Sequence, residues 1–396
     1  MNVKNIDRNK CINCGMCEYY CKMDAITFNE DYDGFEYPDV NDNCVECGLC
    51  VENCIVNGEW DSTNRRIDDI QAFVGRYSKS EETKKSTSGG FCNALSECVI
   101  EQGGVVFGVT YSTDYKDICY KSAETKEELE KFRSVKYAQS KCIDMIVLEK
   151  VLETGRLVLV IGLPCMITAI TKWSQKRYNN LLTIALICHG PTSKLVHRKF
   201  LEEYAGGKKI TSLNLRKKRQ NKSVGWLEMT MENDSDFVKP WLATAYQNAF
   251  SILIRKSCYS CEFKLDKTQA DFLVGDYWGA GTDKLKNRQG MSAIILLNNE
   301  KKEYINKLRN FVVDDMSISD IIADNPVLNI KVKENPAREK FVDNLQKMSL
   351  SSSVNGVLEK KKKIYGLMRA YAMVILPSWL FLIMKKIARN RRKKKY

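Results

Sequence analysis

Between residues 11 and 54 eight cysteines fall into two runs of one form, Cys11, Cys14, Cys17, Cys21 and then Cys44, Cys47, Cys50, Cys54, each spaced C-x2-C-x2-C-x3-C. One constant offset, that from Cys11 to Cys44, relates all four pairs, so a single supersecondary unit occurs twice. Thiols placed only for packing have no reason to keep such a register. Three thiolates two residues apart grip three corners of an iron–sulfur cube while the backbone turns once around it, and the fourth cysteine of each run crosses to the other cube. On that rule Cys11, Cys14, Cys17 and Cys54 hold one 4Fe-4S cluster, and Cys44, Cys47, Cys50 and Cys21 hold a second.

Zinc favours two C-x2-C pairs set well apart and has no use for a triple followed by a crossed fourth. Disulfides are disfavoured because the chain shows no leader peptide, and its sixteen cysteines are then expected in a reducing cytoplasm. Over about its first 60 residues the sequence resembles the bacterial two-cluster ferredoxin module. It departs from that pattern where a proline normally follows the fourth cysteine: Lys22 and Ile55 stand there instead. The departure bears on turn geometry and cluster potential, and leaves the ligands in place.

The rest of the chain is long enough for one or two further domains and a tail, with 44% hydrophobic residues to fill a core. A net charge of +13 invites a nucleic-acid reading until it is located. All thirteen excess cations lie in residues 360–396, where there is no acid, so the remainder is neutral. The globular part therefore carries no electrostatic footprint for a phosphate backbone, and no nucleic-acid partner is expected.

Residues 57–66 read as a polar linker and 79–90 as a loop ending in Ser88-Gly89-Gly90. Phe91 to Gln102 has helical periodicity, and Gly103 to Thr110 reads as a buried strand. A glycine pair opening a helix frees backbone N–H groups for an anion such as a flavin phosphate, but an ordinary turn fits equally well. No G-x-G-x-x-G follows a strand, so a Rossmann dinucleotide site is not expected. Two strand–loop–helix units follow: Leu157 to Ile161 with Gly162-Leu163-Pro164-Cys165 and a helix from Met166, then Leu181 to Ile187 with Cys188-His189-Gly190-Pro191 and a helix from about Thr192 to Tyr204. Such alternation predicts a parallel sheet whose ligands sit beyond the carboxyl ends of its strands, where Cys165 and Cys188 fall. Cys258-x2-Cys261 comes later, ahead of a strand at Ala270 to Val274 and a turn at Gly275 to Gly279. Cys165, Cys188, Cys258 and Cys261 are compatible with a third 4Fe-4S cluster, a structural zinc or no metal. Cys92, Cys98, Cys119 and Cys142 lack partner spacing and read as buried hydrophobic cysteines.

Residues 79 to about 330 resemble the beta-subunit family of coenzyme F-420 hydrogenases and dehydrogenases. The likeness runs through Ser88-Gly89-Gly90, Lys136-Tyr137, Gly162-Leu163-Pro164-Cys165, Cys188-His189-Gly190, Cys258-x2-Cys261, and Ala270-Asp271 through Gly275-Asp276-Tyr277-Trp278. It is strongest to the branch with a fused ferredoxin found beside polysaccharide-building genes. The resemblance implies FAD beside a 4Fe-4S cluster ligated by Cys165, Cys188, Cys258 and Cys261. It makes Ser88, Gly89, Gly90, Lys136 and Tyr137 candidate flavin contacts, and Gly162, Pro164 and Gly190 part of the cofactor-binding loops. Leu163 replaces the usual threonine of that loop.

The fold class expected is an α+β ferredoxin-like two-cluster domain followed by an α/β domain with a parallel-containing sheet and a helical tail. The boundaries are 1–62 for the ferredoxin domain, 63–155 and 156–335 for the two parts of the reductase region, 336–359 for a helical linker and 360–396 for the tail. Clusters move single electrons and a flavin handles pairs, so electrons would come from an external donor such as reduced ferredoxin and reach a small-molecule or lipid-linked substrate. His189 is the candidate acid or flavin-side hydrogen-bond donor, against a loop-stabilising role. Asp276 is a second candidate, against a turn-forming one. His197 falls in a helix and is expected at the surface. The alternative function is an electron-transfer subunit that feeds a catalytic partner and has no substrate of its own.

In the tail, Ile364 to Met384 is largely apolar, interrupted by Arg369 and Pro377-Ser378. Its unbroken part is short for the roughly 30 Å hydrocarbon core. Basic clusters flank it on both sides. A segment that dips in and returns at Pro377, or lies in the interface, keeps both clusters on the inner face of the cell membrane. The expectation is a monotopic anchor on an anionic membrane surface, with a partner-docking helix as the competing reading.

Overall fold

The computed structural model describes residues 1–57, 65–174, 177–219, 225–232, 235–279, 281–286, 289–376, 380 and 383. Its strands are β1 Ile26–Glu30, β2 Glu36–Val40, β3 Gln71–Tyr77, β4 Val105–Tyr111, β5 Ile118–Ala123, β6 Val158–Gly162, β7 Leu181–Leu186, β8 Ile210–Lys218, β9 Gly225–Met231, β10 Ser235–Pro240, β11 Phe272–Tyr277, β12 Met291–Leu296 and β13 Phe311–Asp315.

The cysteine repeat is a repeat of backbone conformation. Asn13 and Glu46, one before the second cysteine of each run, have φ of 58° and 52°, while Gly15 and Gly48, one after it, have φ of 78° and 84°. Alternating left-handed residues curl the main chain into a concavity. Each glycine then opens a short helix, Met16–Tyr20 or Leu49–Glu52. The antiparallel hairpin β1–β2 completes this unit.

Eight strands form the main sheet, in the order β13-β3-β12-β11-β7-β6-β4-β5. Its centre, β4, β6, β7 and β11, is parallel, and the flanking strands are antiparallel. Strands buried on both faces read as unbroken apolar runs, as Val158 to Ile161 and Leu181 to Leu186 do. Alternate residues feed two cores: Val158 and Val160 face one side with Met166 and Ile170, and Leu159 faces the other with Phe91 and Leu95. The helices Phe91–Glu101, Pro164–Ser174 and Lys194–Ala205 lie where the periodicity placed them.

Some expectations are corrected. Residues 79–90 contain a helix, Ser80–Lys85, braced by Lys84–Glu81 and Lys85–Glu82 pairs one turn apart. The expected turn at 275–279 is mostly strand, because β12 pairs with β11 as far as Tyr277–Met291. A three-stranded sheet, β10-β9-β8, lay unrecognised between the second unit and Cys258. The 336–359 segment is helical but no mere linker: Phe341, Leu345, Leu350 and Val354 fill a core with Phe35, Phe200 and Leu227. The 58–64 stretch of the expected polar linker lies outside the described residues.

The dicluster unit is docked into the larger body. Tyr19 donates to Glu149 at 2.7 Å, Arg198 forks onto Glu30 at 2.6 and 2.5 Å, and Lys194 and Arg338 pair with Glu36 and Asp33. The helix Lys360–Ile375 folds back onto residues 241–243 and β10, burying Ala370 and Val374. Among the described residues no helix is long and apolar enough to cross a membrane. Pro377-Ser378 and the second basic cluster lie outside the described residues.

Candidate metal centres and the chamber beside them

A cavity of roughly 180 Å³ opens inside the dicluster unit, lined by Cys11, Cys14, Cys17 and Cys54 together with Asn13, Gly15 and Met16. The fold thus brings the fourth cysteine of the second run to the first triple. Burial pushes the Cys14 thiol up to about 12, and neighbouring Cys11 and Cys54 add to the rise. Around the second triple, Cys44 and Cys50 pack with Cys21 against Val3, Ile26 and Val40, and Cys47 is exposed. The first crossed set lines one cavity, and three members of the second, Cys21, Cys44 and Cys50, share one apolar cluster that also contains Cys17.

Cys165 opens the helix after β6, Cys188 follows β7, and Cys258 and Cys261 come from the loop after the helix Ala245–Ile252. Burial holds the Cys165 thiol well above its ordinary range, and Cys261, Cys188, Cys258 and Cys14 reinforce it. Cys188 is pushed up to about 11 by burial, and Cys261 contributes to the rise. The four thiols therefore lie near one another, and Cys14 of the first set is close enough to Cys165 to be felt there. Gly162 and Gly190 make room for this gathering: a Cβ would stand 2.5 Å from the Tyr120 hydroxyl at 162, and 3.1 Å from Cys258 Sγ at 190. Pro164 is buried at the start of its helix, and the Gly190 N–H donates to Cys188 Sγ at 3.2 Å.

Among the described residues no three His, Cys, Asp or Glu side chains are close enough to hold one metal ion. Zinc draws its sulfurs to about 2.3 Å from a common centre, whereas a cube spreads its ligands over four corners. The donor chemistry of all three sets, thiols alone, fits such cubes. Bound iron reverses the effect of burial and deprotonates the thiols outright.

At the same carboxyl edge β4 ends in Tyr111, β7 leads to His189 and β11 carries Asp276. The His189 ring lies 5.4 Å from Phe250, Phe250 lies 4.7 Å from Tyr137, and Tyr137 stacks on Trp241 at 4.8 Å. Although solvent reaches His189, partial burial lowers its pKa and Lys264 adds to the effect. Arg216 on β8 donates to Asp276 at 2.8 Å and to the Tyr137 hydroxyl at 3.4 Å, and lies over Trp278. Asp276 is thus held as an ion-pair partner on a strand. Lys136 Nζ is ringed by the carbonyls of Lys131, Phe132, Arg133 and Ser134. Burial pulls its pKa down to about 7, while those acceptors favour the charged form. The buried Tyr111 hydroxyl has no partner among the described residues. Lys136, Tyr137, His189 and Asp276 are brought together, and flat faces, cations and an orphaned hydroxyl fit an anionic aromatic cofactor such as a flavin.

The Ser88-Gly89-Gly90 loop is engaged differently. Ser88 Oγ donates to the Met291 carbonyl at 2.6 Å, and Lys218 donates to the Ser88 carbonyl. A Cβ at Gly89 would lie 2.0 Å from the Gly75 carbonyl oxygen. Its glycine therefore serves a close approach of protein backbone. Arg216 and Lys218 both come from the end of β8, beside a register shift, so one strand reaches both Asp276 and this loop. The basic run at 216–219 was the available sequence signal for both.

Other residues stand apart from their expected places. His197 is buried: Nε2 bonds the Tyr115 carbonyl at 2.8 Å and Nδ1 meets the Tyr246 hydroxyl at 3.2 Å. A carbonyl can only accept, so Nε2 carries the proton and Nδ1 accepts from Tyr246. Cys92, Cys98, Cys119 and Cys142, expected to be buried, are only partly so, and Cys142 lies against the first triple, with Sγ donating to the Asn13 carbonyl at 3.4 Å.

Residues 10–57 match the family described as 4Fe-4S dicluster domain. Residues 155–314 match the family described as the C terminus of the coenzyme F420 hydrogenase/dehydrogenase beta subunit. The chain thus carries a region similar to 4Fe-4S dicluster domains, followed by a region similar to the C terminus of F420 hydrogenase/dehydrogenase beta subunits. It is therefore an electron-transfer iron–sulfur protein. The matched beta-subunit region spans Cys165, Cys188, Cys258 and Cys261, and His189, Arg216, Trp241, Phe250, Asp276 and Trp278 of the aromatic and charged cluster. No curated protein matches the chain. Among solved structures it is similar to a chain of the F420-reducing NiFe hydrogenase complex from Methanosarcina barkeri, with 17% identity, 65% of this chain and 89% of that chain covered, and a TM-score of 0.45.

Proposed function

We propose that this protein is an iron–sulfur flavoprotein oxidoreductase, with two 4Fe-4S clusters on the dicluster domain, a third on Cys165, Cys188, Cys258 and Cys261, and FAD in the adjoining chamber. The observation that carries this reading is that Cys165, Cys188 and Cys261 come close together in a buried region, with His189, which follows Cys188, against the aromatic cluster of Phe250 and Tyr137. When bound, clusters supply one-electron transfer and a flavin links it to two-electron chemistry. The protein's part is to fix these groups and exclude water.

Tyr137, stacked on Trp241, offers a flat apolar wall for a ring system, while Arg216 supplies positive charge. The Asp276 carboxylate fixes the guanidinium in place. His189 is the side chain placed to hold a proton at the solvent-facing side. An external donor such as reduced ferredoxin would approach the exposed Cys47, beside exposed Val45 and Leu49.

The substrate we infer is small or lipid-linked and belongs to cell-surface polysaccharide assembly, on the cytoplasmic side of the membrane. The substrate class rests on the resemblance to the ferredoxin-fused branch, and the membrane side on the tail helix, which exposes Ile364, Tyr365, Met368, Tyr371 and Ile375 while resting on the segment of Trp241. Anaerobic purification with iron, acid-labile sulfide and released-flavin analysis tests the core of the proposal. About twelve irons and one flavin per chain are expected, by four irons per 4Fe-4S site. Material with about eight irons and no flavin would overturn it. Loaded protein that reduces no acceptor until a second protein is added would favour the relay function.

A further inference from the structure

Arg255 is 2% exposed and stands between two thiol sets. Its Nε donates to the Cys11 carbonyl at 2.7 Å, and Nη1 donates to the Glu36 carbonyl at 2.9 Å and to Gln139 Oε1 at 3.3 Å. The guanidinium lies 4.0 Å over the Tyr37 ring. Its own carbonyl accepts from the Cys258 N–H at 3.0 Å, in the turn that presents that thiol. One arginine thus touches the first ligand loop of the dicluster domain with its side chain and the loop of the third set with its backbone.

A buried guanidinium ordinarily has a carboxylate. Among the described residues none pairs with Arg255: nearby Glu36 is committed to Lys194, and every acceptor on Arg255 is a neutral oxygen. Nη2 has no acceptor among the described residues. Neutral oxygens and a ring face leave the charge uncompensated, so among the described residues a partner of opposite sign is missing. A 4Fe-4S core held by four thiolates is an anion, and each one-electron reduction makes it more negative.

We propose that Arg255 is the shared counter-ion of the first dicluster cluster and the third cluster, raising the reduction potential of both across the domain boundary. The sharing rests on the third-cluster reading; the role toward the first cluster does not. Arg255 is a positioning and potential-setting residue, since it contacts ligand loops through backbone and ring.

The test uses full-length anaerobic protein with iron counted first, then redox titration followed by electron paramagnetic resonance. Arg255→Gln removes the charge, Arg255→Lys keeps it, and Gln139→Glu sets a carboxylate against Nη1 at nearly unchanged shape. In Arg255→Gln and Gln139→Glu the reduced-to-oxidised ratio of both clusters at fixed poise is expected to fall at least tenfold, about 59 mV for a one-electron couple. Arg255→Lys should stay within a few-fold of wild type. Ratios within twofold of wild type in an iron-replete charge variant would overturn the proposal. If Arg255→Gln does not fold, Gln139→Glu decides alone, and failure of that variant to fold also counts against the proposal. A wild-type count near eight irons, with the first cluster still responding, would defeat the third cluster and the sharing but leave Arg255 as counter-ion of one cluster.

Discussion

Gly190 and Cys258 are packed so closely that a Cβ on residue 190 would stand 3.1 Å from the Cys258 sulfur. Residue 190 also has φ of 122°, which side-chain-bearing residues rarely adopt. Gly190→Ala therefore meets backbone strain of about 1–3 kcal/mol as well as a displaced thiol. The expected outcome is loss of the third site alone, a fall of about four irons per chain with the two dicluster signals retained. Iron and sulfide analysis beside low-temperature spectra checks it. Loss of all three signals together would show that the variant had damaged the fold instead.

Cys54 lies in the second cysteine run and lines the cavity of the first. Cys54→Ser should abolish the cluster built on Cys11, Cys14 and Cys17, and Cys21→Ser the other, each removing about four irons per chain. Since Cys47 is exposed while the cavity lined by Cys54 adjoins buried Cys14, the two deletions should differ in accessibility to a chelator. The cluster that survives in Cys54→Ser is expected to bleach faster. Equal bleaching rates would contradict the placement of the two sites.

The cysteine spacing made the dicluster domain legible because the fold there is local: a repeat, two left-handed positions per turn, and a crossing of one fixed length. The parallel centre of the sheet was legible for the same reason, since Val158 to Ile161 and Leu181 to Leu186 carry their burial in their own composition. Arg255 was not legible. Its side-chain partner Cys11 lies 244 residues away, and nothing in the surrounding sequence marks it as buried. His197 was misplaced because its helix is polar on average, and the aromatic wall of Tyr111, Tyr115 and Tyr246 that covers its ring is assembled from distant segments. Asp276, a candidate polar group of the site, was placed in a turn because its strand partner, Ser292, follows it in sequence and could not be paired in advance.

His197 carries a pH dependence. Burial lowers its pKa from 6.5 to about 4 in the native chain. Below pH 6.5 the unfolded chain binds a proton that the folded chain refuses, so stability falls as pH drops toward 4, by at most about 3 kcal/mol for this one group. His197→Gln removes that slope while keeping polar atoms near Tyr115 and Tyr246. Urea unfolding from pH 7 to 4 should show wild type losing stability relative to the variant across the window, and parallel curves would refute the assignment.

The Arg216–Asp276 pair lies beside Tyr137 and Trp278, and both side chains are largely buried. Arg216→Met leaves a buried carboxylate without its cation, which costs about 3–5 kcal/mol. Arg216→Met combined with Asp276→Leu removes both charges and should recover most of that loss. Flavin retention separates structure from binding. The double variant is expected to regain its melting temperature and still hold at least tenfold less flavin. A double variant with full flavin would mean that Arg216 acts only through the fold.

Along the helix Lys360–Ile375, Ile364, Met368, Tyr371 and Ile375 recur at one-turn intervals and are exposed, while Ala370 and Val374 pack inward. The run of lysines at 360–363 places positive charge at the helix N-terminus, where the macrodipole is already positive. An isolated helix would be destabilised by that arrangement, and an anionic surface would offset it. Changing Met368, Tyr371 and Ile375 to serine should remove about 1 kcal/mol of interfacial burial at each position, together about a hundredfold in partition onto vesicles containing anionic lipid. Binding by wild type should weaken steeply with salt, because the basic residues act through screened charge. Ala370→Asp, on the docked face, is expected instead to loosen the helix from Trp241 and lower the melting temperature. Co-sedimentation with anionic and neutral vesicles distinguishes these outcomes, and unchanged binding in the triple variant would remove the membrane role from this helix.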